Sequence, residues 1–373
     1  MHEIKISSIE AGQSLRKMLF KYFSGAPSSF VYKMLRKKNI TLNGKKAQGN
    51  EMLQEGDVIK LFMSQETIDK FTRNEFLIDE GLVDRFPIDE STWEFVKMDY
   101  SPLETRLEII FENQDILLLN KPAGVLSQKA KESDVSMVEY IISYMLKTGA
   151  VSKDLLQTFK PSICNRLDRN TSGLITAGKT MAGLQELNKI FSEGTVEKYY
   201  LCIVNGEVKE STRINGYLYK DKERNKVTIV RGDGLSCSTV DDTNDLMKEI
   251  GNRENERGNY IETIYTPLKV SNELTLLKVK LITGKTHQIR AHLASCGYPV
   301  LGDYKYGDKA INDNFKEKYG LESQLLHSYS LVFPETIGAL APMSGKEFKA
   351  EPPILFQKIQ RGEGLKIDEE SDC

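Results

Sequence analysis

Apolar positions at the start of the chain recur with a helical period. In "QSLRKMLFKYF", Leu15, Met18, Leu19 and Tyr22 fall at i, i+3, i+4 and i+7, one face of a helix. A turn at "SGAPSS" leads to a second helix, "FVYKMLRKKN", with Phe30, Met34 and Lys37/Lys38 on successive turns. "ITLNGKKA" then reads as a strand entering an Asn43–Gly44 turn, with "LQEGDVIKLF" as its partner. From Leu107 onward the pattern is strand-rich: "LEIIFEN", "DILLLNKPAGVLSQ", "KYYLCIVNGEV", "KVTIV", "YIETIYTPLKV" and "LTLLKVKLI". Helical stretches intervene at "VSMVEYIISYML", "AGLQELNKIF" and "THQIRAHLASCG". Strands in succession with few helices between them predict an α+β fold with a large mixed, mainly antiparallel sheet. The expected divisions are a small α/β head at 1–64, an acidic linker or arm at 65–104 containing Gly81 and Pro87, a large domain at 105–360, and an acidic tail at 361–373. The polar stretch 221–258 reads as a surface excursion on the large domain.

At 373 residues the chain exceeds one ordinary domain, in keeping with that division. The apolar runs, Ile116–Leu119 among them, are strand-sized, so no membrane span is expected. The first residues lack a basic start followed by an apolar segment, and the expectation is a cytoplasmic protein. Five widely spaced cysteines without a C-x-x-C pair read as free thiols, and the four histidines are badly spaced for a metal site. A net charge of −2 hides an asymmetry. Residues 1–64 carry eleven Lys or Arg against five acids, and 65–104 carry eleven acids against four bases. Lys33, Arg36, Lys37, Lys38, Lys45 and Lys46 lie within fourteen residues without one acid, around a helix end and the Asn43 turn. That placement suits contacts to phosphates.

"NRLDRNTSGLITAGKT", Asn165–Thr180, fits two incompatible motifs. Its second half spells G-x-x-x-x-G-K-T, a phosphate-cradling loop. Such a loop needs an apolar strand before its first glycine, yet Gly173 follows "NRLDRNTS"; the intervening Leu-Ile-Thr-Ala also reads as strand. No apolar run ends in Asp to hold magnesium, since "ILLL" ends in Asn120. Lys179 is then expected at a strand end as an exposed charge or a remote phosphate contact. The first half places Asp168 between Arg166 and Arg169, in a loop where neighbouring amides and hydroxyls can fix its rotamer. Flanking guanidiniums favour the ionised carboxylate, and an ionised, positioned carboxylate can be a nucleophile. From this segment alone, a structural Arg–Asp staple explains the residues equally well.

"NRLDRNTSGL" resembles the catalytic motif of the RluA-type pseudouridine synthases. "LLNKPAGVLSQ", "EKYYLCIVNG", "LITGKTHQIRAHLASCGYPVLGDYKYG" and "LLHSYSLVFP" follow in that family's order across residues 105–335. The resemblance implies that Asp168 is the catalytic aspartate, that Tyr200 faces the target base, and that Arg290 pairs with the aspartate. It also implies RNA-contact roles for Arg166, Arg169, Thr171 and His287. Asn165 stands where the family usually has His, and Lys285 where it usually has Arg. The head, through "LRKKNITLNGKKA" and "LQEGDVI", resembles the ribosomal-protein-S-four-type RNA-binding domain; Lys33, Arg36, Lys37, Lys38, Asn43 and Lys45 are then the expected RNA contacts.

The chemistry so implied converts uridine to pseudouridine, breaking the bond from ribose to N1 of uracil and remaking it to C5. It needs no cofactor, nucleotide or metal. The base must leave the RNA stack to be reached, and an aromatic face such as Tyr200 can receive it, worth about 1–3 kcal/mol. Asp168 acts on the sugar or the base, as nucleophile or as local base. The partner expected is structured RNA, large-subunit ribosomal RNA before transfer RNA, acted on by a monomer. The rival readings are a nucleotide hydrolase using Gly173–Thr180 and a non-catalytic RNA-binding protein using only the head.

Overall fold

The computed structural model describes residues 2–72, 107–221, 226–231 and 258–367. Most of the expected acidic arm, most of the 221–258 excursion and the last six residues lie outside that set. In the head, β1 (His2–Lys5), β2 (Ile40–Leu42), β3 (Lys45–Lys46) and β4 (Val58–Leu61) form an antiparallel sheet in the order β1-β4-β2-β3. Ser14 caps α1 (Leu15–Tyr22) by accepting from the Lys17 amide, and the helix buries Leu15, Met18, Leu19 and Tyr22. At about 1.5–3 kcal/mol per large apolar side chain, this face is a principal source of the head's stability. The second helix, α2 (Ser28–Arg36), buries Val31 and Leu35, whereas Phe30 and Met34 are only partly covered. Its inward face is thus turned one residue from the expected one. Lys33, Arg36, Lys37, Lys38, Asn43, Lys45 and Lys46 are all exposed.

The boundary expected at residue 64 moves. Ser64 caps a further helix, α3 (Gln65–Phe71), whose Ile68 is buried in the head core and whose Phe71 ring lies 4.5 Å from that of Phe30. The head therefore extends to residue 72, because two apolar residues among the acids find a surface to cover. It touches the rest of the chain through Met181 N–H to Ile9 O (2.8 Å), Gln185 Nε2 to Gly12 O (2.8 Å) and Gln13 Nε2 to Thr158 O (3.3 Å).

The large unit is built on an eleven-stranded sheet among the described residues. Its strands are β5 (Glu108–Glu112), β6 (Ile116–Lys121), β7 (Ser162–Ile163), β8 (Ser172–Gly178), β9 (Glu197–Asn205), β10 (Thr212–Asp221), β11 (Lys226–Arg231), β12 (Asn259–Ser271), β13 (Leu274–Leu281), β14 (Leu326–Val332) and β15 (Glu347–Lys349). The order runs β11-β10-β12-β13-β9-β14-β8-β6-β5, with β7 beside β8 and β15 beside β14. All pairs are antiparallel except β14 with β8. Helix α4 (Met137–Lys147) covers one face near β6 and β8, meeting Leu117, Leu119, Ile175 and Ala177. Helix α5 (Met181–Glu193) covers the other, meeting Ile116, Leu118 and Leu174. All seven residues of β8 are buried as a result, which is why that strand reads as a continuous rather than an alternating run. Helices α6 (Gln288–Ser295), α7 (Lys309–Tyr319) and α8 (Ile354–Gly362) complete the unit. Of the acidic tail expected from 361, the described residues reach 367: α8 extends to Gly362 and Leu365 is fully buried.

This packing accounts for G-x-x-x-x-G-K-T without a nucleotide. Gly173 sits at φ +109°, where an added Cβ would come within 2.2 Å of Ser328 O on β14. At Gly178 an added Cβ would meet Leu184 Cα of α5 at 2.4 Å. Thr180 caps α5 by accepting from the Gly183 amide and donates to Asp115 Oδ1. Lys179 is not the exposed charge expected at a strand end: its side chain is buried and its ammonium donates to Glu112 Oε1 (2.5 Å) and Asn113 O (2.8 Å). Its replacement would therefore disturb the β5–β6 turn rather than a phosphate contact.

The parallel seam of β8 and β14 pairs Ser172 with His327, whose ring is wholly buried. Its Nδ1 lies 2.9 Å from Ser172 Oγ and its Nε2 2.9 Å from Ala350 O, an arrangement that a neutral ring with Nε2–H satisfies. Burial lowers the pKa of His327 to about 4, against the opposing pull of Ala350 O. The unfolded chain titrates near an ordinary histidine value of about 6.5 and so binds a proton that the folded chain refuses. The contribution of the neutral ring is therefore whole above pH about 6.5, declines as pH falls, and is fully lost below about 4, amounting to as much as ~3 kcal/mol. Thermal melting across this window should show a steeper fall for the natural protein than for His327→Gln, which keeps a donor toward Ala350; equal slopes would refute the assignment.

Candidate active site

Asp168 lies in the loop between β7 and β8, and a second loop, after β6, holds it in place. Ser127 Oγ donates to Leu167 O (2.7 Å) and accepts from Leu167 N–H (3.0 Å). Gly124 N–H donates to Arg169 O (3.0 Å), while Arg169 Nε returns a bond to Gly124 O (3.0 Å). Behind both loops, Lys121 is fully buried and donates to Pro122 O (2.9 Å), Val125 O (2.8 Å) and Arg169 O (3.0 Å). Three acceptors match the three protons of an ammonium. Burial draws its pKa down to about 7, with the nearby Asp168 charge acting in the opposite direction. Asn165 ties the loop to the strand that follows, donating to Leu174 O and accepting from the Thr176 amide and hydroxyl. An amide does this with one donor and one acceptor end, which gives a physical role to the residue that departs from the family's usual His.

The guanidinium that reaches Asp168 is not that of a neighbour in sequence but that of Arg290, on α6. Arg290 Nη1 donates to Asp168 Oδ2 at 3.0 Å, and its Nε and Nη2 donate to Asp303 Oδ2 (2.7 Å) and Oδ1 (2.9 Å). Asp303 is itself 1% exposed and accepts from the amides of Lys305 and Tyr306. Burial acts against the Arg290 charge, but the bonds and charges of Asp303, then Asp168, outweigh it and raise the pKa. The Tyr306 ring lies under the guanidinium at 5.3 Å and its hydroxyl is 2.9 Å from His287 Nδ1. His287 precedes α6 in the left-handed region at φ 56°, with Nε2 3.9 Å from Asp168 Oδ2. Burial first, then Arg290 and Lys305, lower its pKa against the pull of Asp168 and Asp303.

Arg166, Asp168, Thr171, Tyr200, His287 and Arg290 line one cavity of about 700 Å³. Tyr200 stands on β9, opposite Val279 of β13 and Ser328 of β14, and is 7% exposed. Burial, and secondarily Asp168, push its phenol up to about 12, with Ser328 opposing, so the ring is a neutral face at ordinary pH. Thr171 is buried beside Gln324, whose amide points to its hydroxyl at 3.4 Å. Arg169 is exposed on the side of the loop that faces Gly124. Lys33, Arg36, Lys37, Lys38 and Lys45 stand on the head, and Asn43 there staples a turn, bonding Asp57 Oδ1 (2.8 Å) and the Val58 amide (2.9 Å). Lys121, Ser127, Asp303 and Tyr306 are the site's supports that motif reading passed over. Their signal was present as a lysine and an aspartate inside otherwise apolar or glycine-rich stretches, "LLLNKPAG" and "VLGDYKYG".

Among the described residues no helix is long and apolar enough to cross a membrane. The family model described as RNA pseudouridylate synthase matches residues 115–295. A ribosomal large subunit pseudouridine synthase C of Pasteurella multocida is 25% identical over 365 residues, covering 94% of this chain and 90% of that protein. One of the same name from Vibrio vulnificus is 27% identical over 336 residues, covering 88% and 87%. Among solved structures, human RNA pseudouridylate synthase domain containing 4 shares the fold, with a TM-score of 0.51 at 19% identity over 68% of this chain and 92% of that one. The matched span contains the whole Asp168, Tyr200 and Arg290 constellation, and the chain is an RNA pseudouridine synthase, an isomerase.

Proposed function

We propose that this enzyme isomerises uridines in large-subunit ribosomal RNA, that Asp168 is its nucleophile, and that the basic head anchors the RNA. One observation carries the catalytic part: a carboxylate, a guanidinium and an aromatic ring converge on one cavity large enough to admit a nucleobase. The reaction breaks the bond from ribose to N1 and forms one to C5; the C5 proton departs and N1 ends protonated, so composition is unchanged. Arg290 fixes one oxygen of Asp168 and thereby aims the carboxylate before substrate arrives. Asp303 acts through Arg290 and is a positioning residue. Tyr200 offers its face to a base taken out of the stack. The choice of RNA is supported by the names of the two relatives, each similar over more than four fifths of this chain. The head's part is supported by six exposed Lys and Arg between 33 and 46 with no acid among them, in a fold of two helices on a small sheet that resembles the ribosomal-protein-S-four-type domain.

Deleting the gene and mapping pseudouridine should remove modification from large-subunit ribosomal RNA and leave transfer RNA intact. Asp168→Asn preserves shape without the nucleophile: RNA binding survives and product fails to form, and turnover within about tenfold of the natural enzyme, about 1.4 kcal/mol, would refute the assignment.

Asp303→Asn should lower kcat by tenfold or more while RNA affinity changes little, because it loosens the aim of Arg290 rather than the grip on RNA. A defect confined to affinity would count against the positioning role.

Neutralising Arg36, Lys37 and Lys38 together should weaken RNA binding and flatten its dependence on salt, by roughly 0.7–0.9 log units of slope for each phosphate that is no longer neutralised. An unchanged slope would place the RNA elsewhere.

A further inference from the structure

Two tyrosines on the large sheet have no part in the chemistry above. Tyr217 of β10 and Tyr260 of β12 are direct cross-strand partners, and their rings meet edge to face at 6.0 Å and 72°. Each is 47% exposed. Their strands turn Leu218 and Ile261 the other way, into a buried cluster with Ala291 of α6, so the hairpin already has its apolar face. The tyrosine pair is a second apolar surface on the opposite side. Such pairs stabilise a hairpin by well under the free energy of a buried side chain, which leaves this degree of exposure without a structural purpose.

The location supplies one. Tyr260 lines the same cavity as Asp168 and Tyr200, together with Ile282, which is also exposed. The Tyr260 hydroxyl donates to Glu262 Oε2 at 3.0 Å, which fixes the ring, and the Glu262 charge is matched by Arg213. The Arg213 side chain is two thirds exposed, and Lys285, exposed on the cavity wall, adds a second cation on this side. An aromatic surface, open to solvent, continuous with the reaction cavity and bordered by cations, suits a base with its phosphate.

We propose that Tyr217 and Tyr260 form a stacking platform for an unpaired nucleobase adjacent to the target uridine. Lifting the target out of the stack deprives its neighbour of a π-face, and a platform beside the cavity restores one. The occupant belongs to the substrate RNA itself, so the inference rests on the RNA synthase reading and adds a subsite to it. A protein partner would need neither the continuity with the cavity nor the flanking cations.

The test uses the full-length protein carrying Asp168→Asn, so that RNA binds without turnover, and a hairpin bearing the uridine whose modification the gene deletion removes. Replacing unpaired nucleotides one at a time with abasic residues should reveal one position near the target whose base contributes about tenfold in affinity. Adding Tyr260→Leu should abolish that dependence while leaving the abasic hairpin's affinity within twofold; Tyr217→Leu should weaken it, and Tyr260→Phe should preserve it. Leucine retains apolar area on the hairpin, and melting curves confirm folding. Independently, 2-aminopurine at that position should be quenched on binding the parent protein and less so on binding the Tyr260→Leu form. Equal base dependence in the parent and Leu variants at every position would overturn the platform, as would Tyr260→Phe behaving like Tyr260→Leu, which would assign the residue to its bond with Glu262. Failure of the deletion to remove any pseudouridine would instead strike the parent reading, before any hairpin is chosen.

Discussion

One guanidinium between two carboxylates organises the catalytic cleft. Arg290 is nearly buried, and an arginine taken out of water is strongly unfavourable without a counter-charge and filled hydrogen bonds. Asp303 supplies both through two parallel bonds, and its Oδ1 is held by two backbone amides that cannot move independently of the chain. The arginine is thus satisfied before it meets Asp168. Its remaining nitrogen acts as a fixed reference point for the Asp168 carboxylate, and the direction of that carboxylate follows from a network anchored on residues 303–306. Tyr306 contributes to the same frame from beneath, holding the guanidinium on one side and His287 on the other.

The opposite side of Asp168 is governed by Lys121. Its ammonium satisfies carbonyls from two different loops, so neither loop can shift without stranding a charged donor in the interior. Ser127 and Gly124 add bonds at either end of the contact. Asp168 is gripped at its side chain by one network and its loop at the backbone by another, an arrangement that orders the carboxylate without any help from a bound molecule.

Much of this was legible in the sequence because it depends on period and on motif. The α1 face of Leu15, Met18, Leu19 and Tyr22 is the buried face, and the succession of strands pointed to the mixed, mainly antiparallel sheet. Asp168, Tyr200 and Arg290 were named from a family likeness, and the structure brings them to one cavity. What was not legible depends on contacts distant along the chain. Lys179 reads as a strand-end charge until Glu112 is brought to it, and Asp168 read from its own segment looks like the partner of Arg166; its pairing with Arg290, 122 residues later, came from the family likeness and not from the local sequence. The acidic composition after residue 64 concealed Ile68 and Phe71, which fold back on the head because Phe30 is incompletely covered there. Gly173 carried two meanings in one letter; the polar run before it already spoke against a loop glycine, and the proximity of Ser328 makes it a packing glycine.

The parallel seam between β8 and β14 also governs when the enzyme comes into being. Ser172 waits for His327, 155 residues further along, and the strand that carries it, Leu326–Val332, also borders the one bearing Tyr200. During synthesis the loop that carries Asp168 leaves the ribosome long before Leu326–Val332 exists, at rates of about 5–20 residues per second. For many seconds the growing polypeptide has a folded head able to form from local contacts and a large sheet lacking its central strand. Non-local pairings of this kind are slow to form even once complete. The order of emergence thus lets the head form early in the nascent chain, whereas the cavity around Asp168 is complete only after Leu326–Val332 has been made.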